Sequence, residues 1–130
     1  MNVVLWILQV LLALAFAAHG WLFLSPPPEI KVQMDANLPQ WFQLFMGVAE
    51  VAAAIGLILP GLTRVMPYLV TWAAVGIGII MVSATGYHAV RGEYSSAVTT
   101  FILLLMATFL VYGRQRLRPI AARGSEGTAP

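Results

Sequence analysis

The sequence predicts an all-α integral membrane four-helix bundle, and three observations carry that prediction. The 130 residues are 60% hydrophobic and 9% charged, with a mean hydropathy of +0.85. Soluble domains carry ~25% charged residues, so the composition belongs to a chain solvated by lipid. Four apolar runs, Val3–Leu24, Trp41–Leu59, Pro67–Val90 and Ala97–Tyr112, take up most of the length. The third observation is the placement of cations. Five arginines flank the runs on one side, and one lysine and one arginine flank them on the other.

Each run has its own warrant. A hydrocarbon core of ~30 Å needs ~20 apolar residues at 1.5 Å each. The first run meets that length. Ala15-Phe16-Ala17 would pass as a signal-cleavage site. However, no Lys or Arg precedes it and the apolar run continues past it, so a retained first helix over 3–24 is expected. The loop Ser25–Gln40 follows, and its three consecutive prolines predict an extended, polyproline-like exit. Ile30, Val32, Met34 and Leu38 predict that this loop folds over the end of the bundle. The second helix is expected over 41–59, closed by Pro60-Gly61, and the third over 67–90. The fourth run needs Tyr94–Ser96 to reach across, giving a helix over 95–112 after the turn Arg91-Gly92-Glu93. Residues 1–114 are thus one four-helix domain. The basic tail 115–130 shows no packing pattern and is expected to be disordered and cytoplasmic.

With four spans, both termini share a side with Arg64, Arg114, Arg116, Arg118 and Arg123, opposite Lys31 and Arg91. The positive-inside rule makes that side the cytoplasm, in a bacterial inner membrane. The basic balance therefore reads as orientation and lipid contact, and nucleic acid is not an expected partner. The absence of cysteine excludes thiolate chemistry and iron–sulfur ligation by this chain.

Small residues at helical spacing allow membrane helices to approach closely. Gln43, Gly47, Glu50 and Ala54 share one face of the second helix, and Ala74, Gly78, Met81, Thr85 and His88 one face of the third. These faces are expected to pack together through Gly47, Ala54, Ala74 and Gly78, with Ala13, Ala17 and Gly20 forming a further surface.

Glu50 is the sharpest feature. A carboxylate deep in a span costs ~2.5–3.5 kcal/mol, so it has to face protein, find a partner or stay protonated. Counted from the span edges, Glu50 lies ~13 Å below the outer surface, His19 ~7 Å and His88 ~3 Å. With Gln43 and Thr85 they outline a polar pocket opening outward. Glu50 and His19 are the candidate acid–base pair, since a desolvated carboxyl and an imidazole can exchange a proton near neutral pH. The alternative is that Glu50 only ties helices together. His19 and His88 as haem ligands, or a quinone beside Glu50, are the cofactor alternatives. No cofactor motif is present. The ~10 Å axial spread of His19, Glu50 and His88 argues against a zinc site, so no metal is expected.

Certain short runs resemble a known family over roughly residues 3–114. Gly47-Val48-Ala49-Glu50-Val51, continuing to Ala54-Ile55-Gly56-Leu57-Ile58-Leu59-Pro60, is similar to the glycine–x–x–glutamate run of the DoxX-like family. Ala18-His19-Gly20 with Leu24-Ser25-Pro26-Pro27, and His88-x-x-Arg91-Gly92-Glu93, look like a subgroup of it. Many relatives carry a lysine where this chain has Phe23, which removes a cation for Glu50. The resemblance implies a four-helix membrane protein but no single activity, since relatives range from thiosulfate:quinone oxidoreduction to receptor assembly and cargo export. Small size and dominant packing signals predict a non-catalytic accessory or assembly subunit, partnered by the bilayer and by another membrane protein or a second copy. The competing expectation is a quinone- or lipid-binding redox subunit, or a proton-transfer enzyme acting on a lipophilic substrate.

Overall fold

The structure, a computed structural model, describes residues 1–124 and is all-α among them. Four helices are long and apolar enough to cross a membrane. They are α1 (Asn2–Leu24), α3 (Gln40–Thr63), α4 (Tyr68–Val90) and α5 (Tyr94–Tyr112); a short α2 (Pro28–Asn37) precedes α3, and a π-helical turn, Gly113–Leu117, extends α5. Around the bundle α1 packs on α3, α3 on α4 and α4 on α5, with a lighter α1–α5 contact closing the ring. Leu12, Phe16, Leu57, Ile77 and Leu110 fill the centre. Outward faces carry residues such as Leu14, Ile79, Val82 and Phe101, which only lipid tails solvate well.

The proline loop is not extended. Pro27 takes an extended conformation as the N-cap and Pro28 opens α2 from the first helical position. Proline is favoured there because its missing N–H would have no partner anyway and its φ is already helical. Glu29 in the first turn suits the positive end of the helix dipole. No residue of α2 is buried. Its link to the bundle is polar: Gln43 Nε2 donates to Asp35 Oδ1 and to the Leu38 carbonyl, each at 3.0 Å, and Arg91 Nη2 donates to Asn37 Oδ1 at 3.3 Å.

Pro60-Gly61 does not close α3, which runs on to Thr63. Proline removes one N–H, a loss that membrane helices tolerate when neighbours satisfy the freed backbone. Gly61 is a packing position: a Cβ there would lie 2.9 Å from the Trp6 ring of α1. The reversal falls at Arg64 and Met66, whose φ values of 57° and 49° are left-handed without being glycine.

α1 and α3 approach closely through glycine. A Cβ on Gly20 would sit 3.0 Å from the Gly47 carbonyl oxygen and 2.9 Å from Val51. A Cβ on Gly47 would meet Leu24 at 2.7 Å. The face holding Gly47 therefore meets α1, where the spacing had predicted α4. Between α3 and α4 the tight pair is Gly56 and Ala73, where a Cβ on Gly56 would lie 3.0 Å from the Ala73 Cβ. Ala54 and Ala74 are buried in the core, whereas a Cβ on Gly78 would find nothing nearer than Leu104 at 3.9 Å.

The tail was expected to be disordered from residue 115. Residues 118–124 instead fold back along the end of α3. Arg64 Nε donates to the Ala121 carbonyl at 2.9 Å, and the Arg123 N–H donates to the Arg64 carbonyl at 2.7 Å. The rest of that expectation, residues 125–130, lies outside the described residues.

Candidate functional site

Glu50 stands in the middle of α3, on the face turned to α1, and is 1% exposed. His19 Nδ1 lies 2.6 Å from Glu50 Oε2, a hydrogen bond across the α1–α3 interface. Glu50 Oε1 is buried and has no partner among the described residues. The His19 side chain is 55% exposed, and its ring rests edge-on against Phe23 at 5.1 Å between centroids. With Nδ1 held by the carboxylate, Nε2 makes no hydrogen bond among the described residues. Measured from the span edges the two groups had seemed offset in depth. They meet because α1 and α3 run antiparallel and α3 begins beyond the end of α1, with Leu24 beside Gly47.

No hydrogen bond joins any other two of the five pocket candidates. Gln43 reaches up to α2, as described above. Thr85 Oγ1 donates to the Met81 carbonyl at 2.7 Å and lies 2.9 Å from Thr100 Oγ1, tying α4 to α5. His88 Nδ1 is 2.6 Å from Glu93 Oε2, while Arg91 Nε donates to Glu93 Oε1 at 3.1 Å and its guanidinium lies over Tyr87. Glu93 and Arg91, expected only as part of a turn, thus belong to a cluster that clamps the α4–α5 connection. Gly92 completes that turn, its φ of 75° being accessible to glycine at no steric cost. The hydrogen bonds from His88 and Arg91 hold the Glu93 carboxyl below its ordinary pKa, and Glu93 in turn raises that of Arg91. On α2, Lys31 and then Gln43 lower Asp35 in the same way.

One cluster escaped the sequence reading. At the opposite end from α2, Arg114 is 4% exposed. Its Nε donates to Gln9 Oε1 at 2.5 Å, and its Nη1 donates to Asn2 Oδ1 at 2.7 Å and to the Arg118 carbonyl at 3.1 Å. Gln9, fully buried, passes its amide to the Leu57 carbonyl at 2.7 Å. The guanidinium also lies 5.3 Å from the centre of the Trp6 ring. Asn2, Trp6 and Gln9 follow i, i+4, i+7 spacing, a polar stripe on an apolar helix that calls for a partner. That signal was present in the sequence.

No curated protein and no solved structure matches the chain. The model of a family described as DoxX-like matches residues 7–110, from the first turns of α1 to the last turn of α5. That match includes His19, Gly47 and Glu50 and covers most of the bundle, and with four helices fit to cross a membrane, the chain belongs to the DoxX-like family of membrane proteins.

Proposed function

We propose that the chain is a non-catalytic accessory subunit that assembles with, or stabilises, a membrane complex. One observation carries this reading. The polar groups that would have formed a reaction pocket are spent on four separate ties inside the chain: α1 to α3, α3 to α2, α4 to α5, and the α4–α5 turn. Groups used in this way hold helices in register.

The outward face of α4 and α5 supports the same reading. A groove of about 420 Å³ opens there, lined by Ala74, Gly78, Val82, Ser83, Leu104 and Thr108. A Cβ on Gly76 or Gly86 would meet nothing within 4 Å. Glycine in a helix costs ~0.5–1 kcal/mol relative to alanine, and inside this chain no close approach offsets that cost. A transmembrane helix of another protein, packed on small residues, would supply one. We infer the bacterial inner membrane as the location, with both termini cytoplasmic, from the cluster of arginines at the end opposite α2.

The test is gentle detergent extraction with crosslinking, comparing the parent with Gly78→Leu, which fills the groove. The parent should come out with a larger partner and the variant without it, both correctly folded. Equal recovery of the partner by both would remove the groove from the proposal.

A second reading has its own observation. His19 presents a free Nε2 on an exposed ring while the buried Glu50 fixes Nδ1, an arrangement that can accept or give a proton to the polar head of a quinone or another lipophilic molecule. A photoreactive quinone analogue labelling the parent at His19, and failing to label Glu50→Gln, would favour it over the accessory role.

A further inference from the structure

Charge is unevenly matched along the bundle. The acidic side chains among the described residues are Glu29, Asp35, Glu50 and Glu93. Glu29 and Asp35 lie on α2, Glu93 in the α4–α5 turn and Glu50 on the α2 side of the bundle. The other end holds Arg64, Arg114, Arg116, Arg118 and Arg123. Arg114 is the extreme case, a guanidinium that stays charged at any working pH and is almost fully buried. Among the described residues its hydrogen bonds go to neutral oxygens, and its Nη2 is buried with no partner. A buried charge in a native protein is ordinarily paired.

Next to it is a cavity of about 560 Å³, within the range of small-ligand sites. Asn2 and Trp6, both contacts of Arg114, form one wall, and Arg64 and Arg118 contribute to the others. Among the described residues no carboxylate lines it. Arg64 gives hydrogen bonds to the returning tail, which fixes it in place. The Arg118 guanidinium makes no hydrogen bond or ion pair among the described residues, although its carbonyl is held by Arg114. Val3, Trp6, Pro119 and Ile120 make the remaining surface apolar.

We propose that this cavity binds a phosphate-class anion, with Arg118 and Arg64 as direct contacts and Arg114 as a positioning residue that holds Asn2 and the Arg118 backbone. The apolar walls fit the glycerol and first acyl carbons of an anionic phospholipid from the leaflet that this end meets. A soluble phosphate ester has the same charged group without those carbons. The site does not depend on the accessory role, since it lies at the end of the bundle and away from the α4–α5 groove.

The test uses the full chain, purified in neutral detergent and titrated with phosphatidylglycerol or phosphatidylcholine, with retained lipid read by native mass spectrometry. Phosphatidylglycerol should be retained preferentially. Arg118→Gln should weaken that retention about fivefold, the effect of one cation near an anionic surface. Arg118→Lys should largely restore it. Arg116→Gln, an exposed position outside the cavity, should change it little. Inorganic phosphate is the second arm: failure to displace the lipid supports a lipid headgroup, and displacement at low concentration supports the same site with a soluble ester as its ligand. Equal retention of the two lipids, or equal losses from Arg116→Gln and Arg118→Gln, would overturn the proposal.

Discussion

His19→Ala tests the tie between α1 and α3 most sharply, because the two partners are buried so differently. The His19 side chain is 55% exposed, and by exposure alone its removal should cost under ~0.5 kcal/mol. Glu50 is 1% exposed, and its Oε1 already has no partner among the described residues. Without His19 the carboxyl group loses the one hydrogen bond it makes among the described residues while still buried. Stranding a buried polar group costs ~1–3 kcal/mol, and more when it is charged. His19→Ala should therefore cost about 2–3 kcal/mol, several times what its exposure suggests. In a Glu50→Leu background nothing is stranded, and the same substitution should return to under ~0.5 kcal/mol. Glu50→Leu alone should fall below the parent by up to ~1.7 kcal/mol, the upper range for interhelical hydrogen bonds in membranes. The assay is a four-variant unfolding cycle in mixed micelles, followed by helix content. Equal costs of His19→Ala in both backgrounds would refute the reasoning. A Glu50→Leu chain more stable than the parent would mean that Glu50 is kept for something other than holding helices, and would shift weight to the ligand-binding reading.

Glycine substitutions should divide by what a Cβ would meet. Gly20→Ala, facing the Gly47 carbonyl and the Val51 backbone, should destabilise by ~1–3 kcal/mol, whereas Gly76→Ala in the isolated chain should stabilise by ~0.5–1 kcal/mol. The same unfolding assay reads both, and matching signs would contradict the helix approaches described. Arg114→Met should cost ~1–3 kcal/mol by stranding the Gln9 amide oxygen, and Gln9→Leu added to it should recover most of that loss. For pH the sign follows from Glu93. Its pKa is depressed in the fold, so its contribution to the α4–α5 turn is fully present above the ordinary value of 4.5 and fades as pH falls through the lower folded value. Amide exchange at Arg91–Glu93 should accelerate in that acid range, and Glu93→Gln should abolish the pH dependence.

The long helices were legible because lipid imposes one requirement, sustained apolarity, that composition meets openly. The misreadings fall where a residue type has two physical uses. Proline reads as a stop, yet Pro28 starts α2 and Pro60 is absorbed within α3. Gly61 reads as a helix end, but Trp6 needs the space. Arg114 was counted with the topogenic arginines, while the fold buries it on Gln9 and Asn2. Glu50 and His19 were legible as residue types. They were also legible as partners, and they meet at 2.6 Å; what was not legible is that they lie at one depth, because depth counted along each helix ignores how far α3 extends beyond α1.

The accessory role is tested most directly by the mass of what surrounds the chain in its own membrane. Extracted with a polymer that carries native lipid along, and crosslinked beforehand, the 14.1 kDa chain should be recovered with a second polypeptide in fixed stoichiometry. Recovery of the chain alone, or only in multiples of its own mass, would contradict the account.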